Sequence, residues 1–387
     1  MTEFYNPYDP AVHADPYPVY QRMRDHAPVY HNEELDFWAL TRHADVLAGY
    51  LDFTRLSNRN GNSIEPAAWG PNAYRYASVL GVDSPAHARL RTPLNREFNR
   101  RVATVEPAVR ALVRERLDAA LASDELDLIT DFAATFPADV LSIVVGVPEA
   151  DRRMVRHCAE RLVARDEGAH DLPIATLEAT LEFERYCADL VAQRRKEPGN
   201  DFVSAVITRS DVTDEEVVSF LNLLAAAAND TIIQLIGNAW YWAWRWPAQR
   251  ELAFAGNIVA WVEETLRFDS PNQYAARFAA VDILLHGTVI PAGAKVLLIQ
   301  GAANRDPTVF DDPDRYDLTR DTSQMISFGA GRHFCIGARL TRLQARVALE
   351  ELVRRVADYD VDEAGARTVV MAEARGFAAL PITVRRR

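Results

Sequence analysis

One cysteine, Cys335, stands in the run Phe328-Gly329-Ala330-Gly331-Arg332-His333-Phe334-Cys335-Ile336-Gly337, directly ahead of an amphipathic stretch. Leu340, Leu343, Val347 and Leu349 to Leu352 recur at helical spacing, so the cysteine falls at a loop-to-helix junction. A helix N-terminus offers unpaired N–H groups and partial positive charge, and both favour thiolate over thiol. Gly329, Gly331 and Gly337 allow positive φ and a close approach of backbone to a flat ligand. A thiolate on such a shelf suits a large planar metal macrocycle. The competing reading is a buried structural cysteine beside an ordinary turn, which a lone Cys next to one Gly would favour.

The 387 residues are about half hydrophobic, enough for one large core. Cys158, Cys187 and Cys335 are scattered and odd in number, so a disulfide framework is not expected and a reducing, cytoplasmic setting is. The N-terminus lacks a basic and an apolar region of the secretory kind. No membrane span is expected. The richest apolar stretch, 220–236, is interrupted by Asn222, Asn229, Asp230 and Gln234 and reads as a buried core helix. A net charge of −12 excludes nucleic acid as a natural partner. Arginines nonetheless cluster locally, as Arg89, Arg91, Arg96, Arg100 and Arg101, and as Arg332, Arg339, Arg342 and Arg346 around the cysteine. They are either solvated helix faces or a positive patch for an acidic redox partner.

The pattern along the chain predicts a mainly α fold with a minor β region, as a single domain over 1–387. A helix is expected over 17–26, a strand at 37–41, a long loop over 57–82, and mostly helix over 85–121 with Pro93 at a start or kink. Thr213 is a candidate N-cap for a helix running to Trp246, where Pro247 ends it, and another helix covers about 248–268. The β-rich parts are expected near 30–55, 275–300 and 369–385, with strands at 279–285, 289–293, 296–299 and 369–384.

Asp230-Thr231 interrupts an apolar run, and a carboxylate there is costly unless paired or hydrated. It lies either at a solvent edge or as an acid–alcohol pair facing a reaction centre, able to move protons. Glu264 and Arg267 stand at i and i+3, which alone reads as a surface ion pair. His87 and Arg91 share one helix face at i and i+4.

The full spacing Phe-Gly-x-Gly-x-His-x-Cys-x-Gly resembles the haem-binding signature of the cytochrome P450 superfamily, and the rest of the chain resembles its soluble bacterial, ferredoxin-dependent type. That resemblance implies haem b (iron protoporphyrin IX) ligated by the Cys335 thiolate, with Phe328, Gly329 and Ala227 against the ring. It implies propionate contacts from His87, Arg91, Arg277 and His333. It assigns Asp230 and Thr231 to proton delivery, although Ala228 and Ile232 depart from the family's commonest residues there. It makes Glu264 and Arg267 part of a structural lock completed by Arg315 or Arg320. The implied activity is insertion of one oxygen atom from dioxygen into a small apolar substrate. A ferredoxin-type partner would dock on a basic proximal face of a monomer. The rivals are a peroxide-using haem-thiolate enzyme and a non-catalytic haem- or ligand-binding protein. The substrate wall is expected from Trp69, Tyr74, Tyr76, Gln273, Tyr274 and Phe377, with Asn60 or Gln273 as orienting groups and further positions near 160–180 and 226–231.

Overall fold

The computed structural model describes residues 5–166 and 168–387. Its axis is the helix Asp214–Arg245. Thr213 starts it with a capping box: the Thr213 hydroxyl accepts from the Glu216 N–H at 3.3 Å, and the Glu216 carboxylate accepts from the Thr213 N–H at 2.9 Å. Pro247 opens the next helix. Val217, Phe220, Leu224, Leu235, Ile236 and Trp240 are buried, because this helix packs on Pro137–Val145, Ile174–Lys196, Ile258–Phe268 and Ala338–Arg355. By length and composition, windows in 128–145 and 214–245 could cross a membrane, although each is interrupted by polar residues. Yet 72% and 67% of those windows lie buried inside the protein, as core segments do.

The β portion is a five-stranded sheet ordered Val29–Asn32, Phe37–Leu40, Lys295–Leu298, Ala275–Ala279, Leu56–Ser57. A three-stranded sheet of Glu125–Asp127, Pro381–Arg386 and Val356–Val361 adds to it. Several expectations need correction. The 248–268 helix is two helices, Pro247–Phe254 and Ile258–Phe268, separated at Gly256 with φ 105°. The 30–55 region contains the helix His43–Leu51 between its strands. The strand placed at 279–285 is two, Ala275–Ala279 and Ile283–Leu285. Pro93 sits inside the helix Ala86–Val102 rather than at its start. The 57–82 loop carries short turns of helix at Pro66–Ala68, Tyr74–Ala77 and Ser78–Gly81.

The Glu264–Arg267 pair is interior, with both side chains at most 1% exposed, so the surface reading fails. Arg267 donates twice to Glu264 at 2.7 and 2.8 Å and also to the carbonyls of Asn304, Pro313 and Arg315. Glu264 further accepts from the Asp317 N–H at 2.9 Å. Arg320 completes the network: its Nε lies 3.5 Å from Glu264, and its other nitrogens bond the carbonyls of Asp311, Asp312 and Arg315. The Arg315 side chain points outward and, among the described residues, has Asp317 as its one ion-pair partner, at 3.9 Å.

Removing one partner of a buried ion network leaves an uncompensated charge. Arg267→Ala is therefore expected to cost about 3–5 kcal/mol, whereas Arg315→Ala should stay within about 0.5 kcal/mol. Denaturant midpoints measure both, and equal losses would show that the network does not brace the coil.

Candidate active site

The network is wired to the cysteine loop. Asn304, whose carbonyl Arg267 grips, donates through Nδ2 to Ser327 Oγ at 2.8 Å and accepts from the Ile326 N–H at 2.8 Å. Ser327 donates to the Leu266 carbonyl at 2.7 Å. The residues entering Phe328 are thus pinned on both sides. Gly329 and Gly331 both have φ 68°, and a Cβ on Gly329 would lie 3.3 Å from the Tyr50 ring. Gly337 differs from expectation: its φ is −79°, and a Cβ would sit 3.7 Å from Cys335 Sγ, an ordinary contact.

The Cys335 N–H donates to the Phe328 carbonyl at 2.9 Å and closes the loop. The Gly337 and Ala338 N–H groups face the sulfur. Burial nevertheless dominates and pushes the thiol up, against the pull of those two N–H groups, Arg91 and Arg342. The helix end alone does not hold a thiolate here, and a metal cation at sulfur would reverse the balance.

His87, Arg91 and His333 converge beside the loop, and Arg277 stands at mid-strand opposite Val296. The two histidine rings lie 4.1 Å apart between centroids, and Arg91 donates to the Phe334 carbonyl. His87 Nε2 and His333 Nδ1 are buried without a hydrogen-bond partner. Burial, then neighbouring positive charge, lowers His87 to about 4 and His333 to about 2. Arg277 is 4% exposed, bonds only the Ala276 carbonyl at 2.7 Å, and has no carboxylate in ion-pair range among the described residues. Buried donors and a buried cation without anions fit the two carboxylates of haem. Arg89 does not join them, because it pairs with Glu216.

On the long helix, Ala227 is exposed although the turns on either side are largely buried. Its carbonyl accepts from Thr231 Oγ1 at 3.1 Å. Asp230 faces another way: its Oδ1 accepts from Gln234 Nε2 at 3.0 Å, and Gln234 Oε1 accepts from the Phe377 N–H at 2.7 Å. Burial raises the Asp230 carboxyl above its usual range, against the pull of Gln234 and Arg165. Sequence reasoning missed what stands beyond it. Arg165 grips Glu65 at 2.5 and 3.1 Å, and Glu373 Oε2 is buried without a partner. Positions 65, 165 and 373 carry no local motif that would have joined them.

The structure scatters the expected substrate wall. Tyr274 and Gln273 are interior, each with one unpartnered oxygen. Trp69 is half-buried with Lys295 Nζ 5.1 Å from its ring centroid. Tyr74 is exposed on a surface turn. Phe377 lies against Tyr241, with centroids 4.9 Å apart, and borders a groove shared with Tyr17 and Trp242. The Tyr76 side chain lies outside what is described.

The arginine clusters are less positive than their count suggests. Arg342 pairs with Glu263, Arg346 with Glu106 and Glu350, and Arg100 and Arg101 with Glu97. Arg332, over the Phe53 ring at 3.6 Å, and Arg339 have no carboxylate partner among the described residues. Arg339 and Arg342 line a cavity of about 310 Å³ with Val102, Val259 and Leu343.

A family model for cytochrome P450 matches residues 258–364, from the Glu264 helix through the helix after Cys335. The putative cytochrome P450 123 of Mycobacterium tuberculosis is 45% identical over 390 residues, covering 99% of this chain and 97% of the relative. Cytochrome P450 monooxygenase PikC of Streptomyces venezuelae is 35% identical, over 96% of this chain and 92% of its own. The solved structure of cytochrome P450 CYP109Q5 from Chondromyces apiculatus aligns with a TM-score of 0.90 at 30% identity, covering 98% of both chains. Near-complete coverage at such identity goes beyond a shared fold: the chain belongs to the cytochrome P450 family and is a haem-thiolate monooxygenase.

Proposed function

We propose that this chain holds haem b on Cys335 and inserts one oxygen atom from dioxygen into an organic substrate with apolar C–H or C=C bonds, the other atom leaving as water. The observation that carries this is the pairing of a buried thiol with four basic side chains, His87, Arg91, Arg277 and His333, two of which have orphaned nitrogens. Thiolate-ligated haem supplies dioxygen binding and O–O cleavage, because the sulfur pushes electron density toward iron.

The chain's own residues do the rest. Phe328, Gly329 and Ala227 present flat or small surfaces to the ring. His87, Arg91, Arg277 and His333 receive the propionates and so fix its orientation. Asp230, raised by burial, holds a proton more readily than a surface aspartate does. Thr231 donates its hydroxyl proton to the Ala227 carbonyl, which loosens the helix there and leaves the oxygen's lone pairs free to accept from a proton donor. Ile232 is buried and keeps that turn dry.

Electrons enter from a ferredoxin-type protein. Arg332 and Arg339 are the uncompensated charges of the cysteine face, and the cavity beside Arg339 offers an apolar floor. Buried, unpaired Cys158 and Cys187 suit a reducing cytoplasm. The enzyme works as a monomer.

Cys335→Ser should fold, by circular dichroism, yet lose the thiolate-type absorption of the reduced, carbon monoxide-bound protein; a retained band would place the ligand elsewhere. Thr231→Ala should consume reducing equivalents with product yield lowered by up to about a hundredfold. Product and peroxide assays measure this. Unchanged coupling, with good turnover on peroxide alone, would favour the peroxide-using reading.

A further inference from the structure

Four segments distant in sequence bring Glu65, Arg165, Asp230 and Glu373 into one electrostatic cluster. Arg165 is already committed to Glu65 through two contacts, at 2.5 and 3.1 Å. Neither Asp230 nor Glu373 has a cation within ion-pair distance among the described residues. Three carboxyls therefore share one guanidinium, Glu65 buried and Asp230 and Glu373 half-buried, where an uncompensated carboxylate is disfavoured.

A second observation points to a ligand. Tyr274 is 1% exposed, its hydroxyl has no partner, and the charge acting on it most strongly is Glu373. Glu373 Oε2 is likewise buried and unpartnered. Burial, then Glu65, raises Glu373 up to about 7, with Asp230 adding to the rise. Tyr8, stacked on His170 at 4.3 Å, feels the charges of Glu65 and Glu373. Among the described residues no three His, Cys, Asp or Glu side chains are placed to hold a metal ion. Carboxyls flanked by tyrosine rings are what an ammonium group needs, through Coulomb attraction and cation–π contact. Asp230 belongs to the same helix turn as Thr231, so the carboxyl cluster and the acid–alcohol pair share one element.

We infer that the substrate is an apolar molecule bearing a positively charged amine, its nitrogen held between Glu373 and Asp230 with Tyr274 and Tyr8 alongside. This rests on the monooxygenase reading above.

The test uses the haem-loaded enzyme and two probes: phenylbutyltrimethylammonium, whose charge is permanent and whose nitrogen cannot ligate iron, and its neutral isostere with carbon in place of nitrogen. Equilibrium dialysis should show the cation bound at least tenfold tighter. Glu373→Gln should remove most of that preference. Calorimetry of the wild-type protein in buffers of different ionisation enthalpy covers the case of a misfolded variant. Near pH 7 the cation should release a fraction of a proton from the group formed by Glu373, Asp230, Glu65, Arg165, Tyr8 and Tyr274, and the isostere should release none. Equal affinities, or no proton release, would overturn the inference. So would a Glu373→Gln variant that keeps the preference but uncouples turnover of neutral substrates, since Glu373 would then serve proton delivery. A sample without the thiolate-type carbon monoxide band overturns the monooxygenase reading instead; a normal band without cation preference overturns the amine assignment alone.

Discussion

The Glu264 carboxylate is the point on which the catalytic half of the molecule hangs. It sits 1% exposed inside a protein and accepts from Arg267, from the Asp317 N–H and, at longer range, from Arg320. The two arginines spend their remaining donors on carbonyls of 304 and 311–315. The coil there has no regular secondary structure to satisfy its own carbonyls, so the guanidinium groups do so. Once that coil is fixed, Asn304 and Ser327 fix the start of the cysteine loop, and the loop fixes the sulfur. Buried ion pairs are weak sources of net stability, and this one is better understood as a device for specifying backbone geometry.

The protein portion of the site is out of electrostatic balance in a consistent way. Burial drives Cys335 toward the neutral thiol and drives His87 and His333 toward neutral imidazole at pH 7. Arg277 stays in the interior beside the Tyr50 ring, 5.1 Å away, with no carboxylate in ion-pair range among the described residues. A ligand combining a central cation with peripheral carboxylates resolves all of these at once. In such a ligand the metal would favour thiolate, and the carboxylates would offer the histidines and arginines acceptors. The charge pattern of the pocket is thus the inverse of the cofactor that the family carries.

What was legible in the sequence was local. The Cys335 loop, the Thr213 N-cap and the Glu264–Arg267 spacing are each short-range, where backbone geometry dictates which side chains meet. The break at Gly256 was also written locally, but the apolar periodicity continues on both sides of it and masked the signal. The helix His43–Leu51 was absorbed into a β region because short strands flank it and it supplies one face to the same sheet core. The strands Glu125–Asp127 and Val356–Val361 escaped notice because their partner, Pro381–Arg386, is remote in the chain. Tyr74 and Phe377 were expected at the substrate wall from their segments and aromatic character; Tyr74 is exposed and Phe377 lies against Tyr241. The cluster around Glu373 was illegible for the same reason as the strands: its members meet only after folding.

Helix geometry explains how one turn of the Asp214–Arg245 helix serves two environments. Successive residues point about 100° apart, so Thr231 returns to the Ala227 carbonyl while Asp230 reaches along the helix to Gln234. Thr231 stays on the face of the small residues, and Asp230 looks into the field of Arg165 and Glu373. The proton affinity of Asp230 is therefore set by groups that never touch Thr231. A positive charge placed beside Glu373 would lower the Asp230 carboxyl toward its ordinary range, and a neutral ligand in the same place would leave it raised. The proton affinity of Asp230 and any charge placed beside Glu373 are in this way coupled through one electrostatic potential.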